Sequence, residues 1–137
     1  MEQHFLLDDT TFEAQFAACK LSPGMFTHEA HIRLAWIHVK KYGVEQAIQN
    51  ICSQLVAFVD SVGARDKYNK TLTIAAIKAV KHFIDKEPVN NFPDFITRFP
   101  RLKYNFKELL AFHYKVDIYN SPQAKQEFLE PDLLPFT

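Results

Sequence analysis

A chain of 137 residues in which sixteen Lys and Arg balance sixteen Asp and Glu has no basic excess, which argues against nucleic acid as a partner. It is long enough for one domain, residues 1–137, with a sizeable core, and thirteen Phe supply bulky filling for that core. No apolar run approaches the ~20 residues that span a bilayer. The opening MEQHFLLDDTT lacks the charged start, apolar stretch and small-residue cleavage site of a signal peptide, so the expectation is a cytoplasmic protein with no membrane partner.

Two cysteines, Cys19 and Cys52, lack metal-type spacing and sit in apolar surroundings, which reads as a pair of reduced core residues. Three Gly in the whole chain leave no room for a Gly-rich phosphate loop. There is no internal repeat and no composition break that would mark a linker.

Residues 1–9 read as an irregular lead-in. Thr10 and Glu13 have capping-box spacing, so a first helix is expected from about Thr11 to Cys19. Pro23 and Gly24 then break the chain. Thr27 suits the N-cap of a second helix that ends at Tyr42, with Gly43 just beyond it. At roughly 100° per residue, Ile32, Ala35, Trp36, Val39 and Tyr42 share one apolar face, with His28 near its middle and His31 and His38 along its edge. Glu29, Arg33, Lys40 and Lys41 fall opposite, on the face expected to meet water.

A third helix, about Val44 to Val62, is apolar over more than half its circumference and is expected to be the most buried. A fourth should run from about Thr71 to Lys86, with Leu72, Thr73, Ala76, Ile77, Val80, Phe83 and Ile84 facing inward. Pro93 opens a short helix that Pro100 closes, and Tyr104 to His113 reads as another. Ser121 and Pro122 open a last helix to about Phe128, and two prolines hold the tail to Thr137 extended. No stretch alternates with a period of two. The expected fold class is all-α, a bundle of four longer helices with short helices packed across it.

Short connections favour antiparallel neighbours. Two reversals would make the second and fourth helices parallel and bring His28 and His31 to the same end as Tyr68, Asn69 and Thr73. Polar groups at two helix N-termini would then meet at an apolar pocket mouth, the arrangement of a small-molecule site. A plainer account stands beside it. His28 is then a buried His bonded to a carbonyl, Asn69 caps the fourth helix, and Thr73 bonds back to the carbonyl four residues earlier. His38 is expected to be structural or on the surface.

His28 and His31, three residues apart, can reach one divalent metal ion. HEAH is not HExxH, however, and no third ligand is evident, so metal is the less favoured reading. The basic run Arg98, Arg101, Lys103, Lys107 with interleaved aromatics reads as a solvated face.

Three segments, FTHEAHIRLAW from Phe26, KYNKTLT from Lys67 and NSPQAKQEFLEPDLLP from Asn120, resemble a family of small all-helical microbial proteins of unassigned activity. The resemblance spans most of the chain from Phe26 onward, and its first motif is the most specific. It implies a shared site at His28, His31, Tyr68, Asn69, Thr71 and Thr73. In that family the second motif tends to read Tyr-His, so Asn69 is a departure. If the family's His completes a metal or acid/base set, the departure implies lost or altered chemistry.

The expected function is binding of a small apolar or mixed-polarity ligand, with His28 and His31 as general base or ligand contacts. Tyr68 is the third catalytic candidate. Trp36, Asn69, Thr71 and Thr73 are ligand contacts. One placed His contributes roughly 10²–10⁴-fold to proton transfer, which suits a simple isomerase, lyase or hydrolase. The alternative is a non-catalytic module that meets a protein partner through exposed aromatics on the later helices and the proline-containing tail.

Overall fold

The computed structural model describes residues 1–136, so Thr137, the end of the expected extended tail, lies outside the described residues. The described chain is all-α, with eight α-helices and no strand. None of these helices is long and apolar enough to cross a membrane. Two compact units divide it, Met1–Tyr68 and Asn69–Thr137.

The first unit begins with a 3₁₀ turn, Gln3–Leu6, where an irregular lead-in was expected. Helix α1 spans Asp9–Ala17. Its N-cap is Asp8, not Thr10, because the Asp8 carboxylate accepts the Thr11 N–H at 2.7 Å and Asp9 follows in the first turn, where negative charge suits the helix dipole. Helix α2, His28–Tyr42, starts where Thr27 caps it, the hydroxyl accepting the Ala30 N–H at 3.2 Å. Gly43 both ends α2 and opens α3, Val44–Ser61. Its φ of 84° and ψ of 163° form a backbone region that glycine alone holds without strain. A 3₁₀ turn, Arg65–Lys67, follows. Helix α2 packs on α3, and α1 lies against both.

Three expectations about burial change here. Helix α3 is not the most buried: it buries Ala47, Ile51, Leu55 and Phe58, whereas ten residues of α2 are buried. The difference comes from the face of α2 expected to meet water. Glu29 and Arg33 are 5% and 4% exposed, because residues of the N-terminal lead-in cover them and take up their charges. His28, expected near the middle of the buried face, is instead exposed at the first position of the helix, where the chain has not yet entered the core.

In the second unit α4 spans Lys70–Lys86. Its buried stripe is Thr71, Ile74, Ala75, Ile77, Ala79 and Val80, rotated from the expected one. The rotation follows from Thr71, whose hydroxyl donates to Glu127 O at 2.7 Å and accepts the Leu129 N–H at 3.0 Å. That tie also draws the chain out of α8, Pro122–Gln126, two residues before the expected end. Helix α5 is Phe92–Arg98. The expected helix from Tyr104 to His113 is two, α6 at Arg101–Tyr104 and α7 at Phe106–Ala111, divided at Asn105, whose φ of −132° breaks the helical path.

Candidate functional site

The paired histidines stand at the start of α2. Phe26, the residue before the cap, stacks its ring on His31, the fourth helical residue, with centroids 3.8 Å apart. These are the positions of a hydrophobic staple, which fixes the angle at which a chain enters a helix. Phe26 is itself seated on Phe16 and Phe58, at 4.7 and 5.3 Å between centroids. His31 thus has a rigid aromatic mount, yet it counts among the exposed residues. Its side chain makes no hydrogen bond within the described residues. Desolvation by surrounding protein, and then the neighbouring His28, push its pKa down. His31 is therefore neutral at pH 7.

Tyr68 ends the first unit, partly buried. Desolvation first, and its hydrogen bond with Cys52 second, push the phenol above its ordinary range. At neutral pH Tyr68 therefore donates a proton in a hydrogen bond and does not act as a base. Trp36 is 5% exposed, a core residue of α2. His38 is 1% exposed. Its Nδ1 lies 3.4 Å from Asn50 Nδ2, and its buried Nε2 has no hydrogen-bond partner among the described residues.

Asn69, Thr71 and Thr73 belong to the second unit, where their polar atoms are engaged. The Asn69 side chain accepts the Leu72 N–H at 2.9 Å and donates to Ile118 O at 2.7 Å. The Thr73 hydroxyl donates back to Asn69 O at 2.7 Å. These are the capping and back-bonding roles of the plainer account, and Thr71 is the tie already described.

Residue-by-residue reading missed His4. It is fully buried, and its Nε2 lies 2.7 Å from Glu29 Oε1. Arg33 Nη1 lies 3.3 Å from His4 Nδ1 and donates also to His4 O at 2.7 Å. Arg33 Nη2 donates to Leu7 O and to Asp9 Oδ1, both at 2.8 Å. A guanidinium can only donate, so His4 Nδ1 is the acceptor and Nε2 carries the proton that Glu29 receives. The guanidinium carbon lies 4.6 Å from the Phe12 ring centre. Thr27, besides capping α2, donates its hydroxyl to Glu2. The apolar HFLL run in the lead-in was the one signal that this segment packs.

Glu2, His4 and Glu29 bring three donor atoms within 4.8 Å of one another, the one such group among the described residues. A metal at His4 Nε2 would need that nitrogen stripped of its proton, with the remaining proton on Nδ1, directly facing Arg33. Arg33 is pinned by three other acceptors and cannot turn away. These hydrogen bonds fasten the lead-in to α2. His28 and His31 belong to no group of three converging metal ligands among the described residues.

The fold and these groups define an all-α protein whose second helix presents one neutral, ring-stacked histidine beside a second exposed one. No protein-family model, no curated protein and no solved structure matches the chain.

Proposed function

We propose that this is a small-molecule-binding protein in which His31, flanked by His28, contacts the ligand and, if a reaction follows, accepts a proton from it. The observation that carries the reading is the state of His31. Its ring is held by Phe26 and is neutral, the residue is exposed, and it spends no side-chain hydrogen bond on the described protein. A pKa below the ordinary range makes the ring a weaker base and leaves it a ready acceptor at neutral pH, so it suits a ligand that offers an N–H or O–H. Tyr68 adds a donor within the same unit. A divalent metal has no part in this proposal. Cytoplasmic location belongs to it, resting on two cysteines that are not joined in a disulfide. So does kinship with the helical family that the three motifs resemble, with Asn69, Thr71 and Thr73 holding the second unit together in this member.

The test is mass spectrometry of the protein as purified, followed by binding of any ligand found to His28→Gln and His31→Gln. Both variants should fold with stability near wild type and lose the ligand. Should His31→Gln keep unchanged affinity, or lose several kcal/mol of stability, the ring is a staple and no more.

One observation favours a second reading, a protein-interaction module. Phe112, Leu133 and Leu134 are each more than half exposed, and they adjoin through His113, whose carbonyl accepts the Leu133 N–H. Grouped exposed apolar side chains mark contact surfaces. Phe112→Ser with Leu134→Ser should then abolish capture of a partner protein and leave binding of the His31 ligand intact.

A further inference from the structure

The second unit holds a cavity of about 260 Å³ that has no part in the His31 proposal, though Phe112 and His113 of the exposed apolar group also line it. One wall is a stripe of α4, Ala79, His82, Phe83 and Lys86, spaced so that all four share one helical face. Arg101 at the start of α6 and Leu109 and Leu110 from α7 line it as well. Phe136 of the tail closes one side. Its ring stacks on His113 at 4.1 Å, and His113 Nδ1 donates to Leu134 O at 2.8 Å, so the tail is tied down beside the cavity.

The lining is one-sided in charge. Lys86 and Arg101 carry positive charge, and His82 and His113 add two imidazoles, with no carboxylate among the lining residues. Neighbouring cations are spent elsewhere: Arg98 pairs with Glu87, and Lys81 with Asp85. Neither Lys86 nor Arg101 has an ion pair within the described residues. The rest of the lining is apolar and aromatic.

We propose that this cavity binds a small organic carboxylate with a flat apolar body. The body lies against Phe83, Leu110 and Phe136, and the carboxylate meets Arg101 and Lys86. An apolar chamber with a few charged groups is the general form of a ligand site, and at about 260 Å³ it falls just under the range for drug-sized ligands, so the occupant is smaller than those. Arg suits a carboxylate because its planar fork offers two parallel donors. The apolar walls disfavour inorganic phosphate, which has no apolar body to cover them.

The probe is 1-naphthoate, with 1-naphthylmethanol as its uncharged counterpart, titrated into the full chain and followed by calorimetry and by amide NMR shifts. The acid should bind at least tenfold more tightly than the alcohol, with shifts centred on Phe83, Leu110 and His113. Arg101→Gln and Lys86→Gln should each weaken the acid at least fivefold and leave the alcohol unchanged. Both residues are exposed, and if one variant fails to fold the other still decides. Ala79→Leu, which fills one wall, should abolish binding of both. The proposal is overturned if the acid does not bind at millimolar concentration. Equal affinity for acid and alcohol, or indifference to both charge-removing variants, overturns it too, as do shifts centred on His31.

Discussion

Arg33 decides which nitrogen of His4 holds the proton. The two are 29 residues apart in sequence, and the guanidinium reaches His4 Nδ1 at 3.3 Å while gripping the His4 carbonyl at 2.7 Å. His4 must therefore be the Nε2–H tautomer. His113 is placed the other way round, since a carbonyl 2.8 Å from its Nδ1 can only accept. Long-range proton–nitrogen NMR at pH 7.5 should show His4 protonated on Nε2 and His113 on Nδ1. The same tautomer at both positions would contradict the assigned networks.

Acid should destabilise the fold from a higher pH than carboxylates alone would set. Burial pushes His4, His31 and His38 below their ordinary 6.5. The unfolded chain takes up protons at these rings as pH falls through 6.5, and the folded chain does so only at lower pH. Stability from these groups is thus complete above the unfolded value and is lost as pH falls through the folded values. The two fully buried rings, His4 and His38, can each contribute up to about 1.4 kcal/mol per pH unit in that window. Urea unfolding at pH 7.5, 6.5 and 5.5 should show a falling midpoint, and a flat profile would refute the shifts.

His38 is a buried polar group that does little for the fold. Its Nε2 meets no partner among the described residues, and Asn50, its neighbour at Nδ1, is only partly buried and can turn to water. Replacing a poorly satisfied buried group by an apolar one of similar size is near neutral or stabilising. His38→Leu should match or exceed wild-type stability at pH 7.5, and its advantage should grow at pH 5.5, where the wild-type ring resists protonation. A loss beyond about 2 kcal/mol would show that the ring has a partner that matters.

Thr71 should act through its hydroxyl alone. The side chain is fully buried and makes one bond as donor, to Glu127 O, and one as acceptor, from the Leu129 N–H. Thr71→Val keeps the shape, strands both backbone groups and should cost on the order of 1–3 kcal/mol. Thr71→Ser should recover most of that. Amide exchange at Leu129 should quicken in the Val variant only, and unchanged exchange would place the tie elsewhere.

Local chemistry was legible residue by residue. Thr27, Gly43, Ser121 and the all-α class were recoverable from the chain, because a cap or a terminator acts on residues three or four positions away. Even the staple of Phe26 on His31 could have been read, since its spacing is fixed by the cap. The start of α1 slipped because the Thr10–Glu13 spacing matches a capping box, while Asp8, two residues earlier, is the side chain that accepts the Thr11 N–H.

Tertiary structure alone decided which polar residues are buried. Glu29 and Arg33 carry the pattern of a solvated helix face, and nothing near them in sequence says otherwise. Their partners, His4, Leu7 and Asp9, lie more than twenty positions back, in a segment without strong periodicity. The same holds for Thr71, whose partners are 56 and 58 residues on. Helix periodicity records which face is apolar, but a charged face can also be buried when another segment supplies matched donors and acceptors, and that match exists only once the chain has folded.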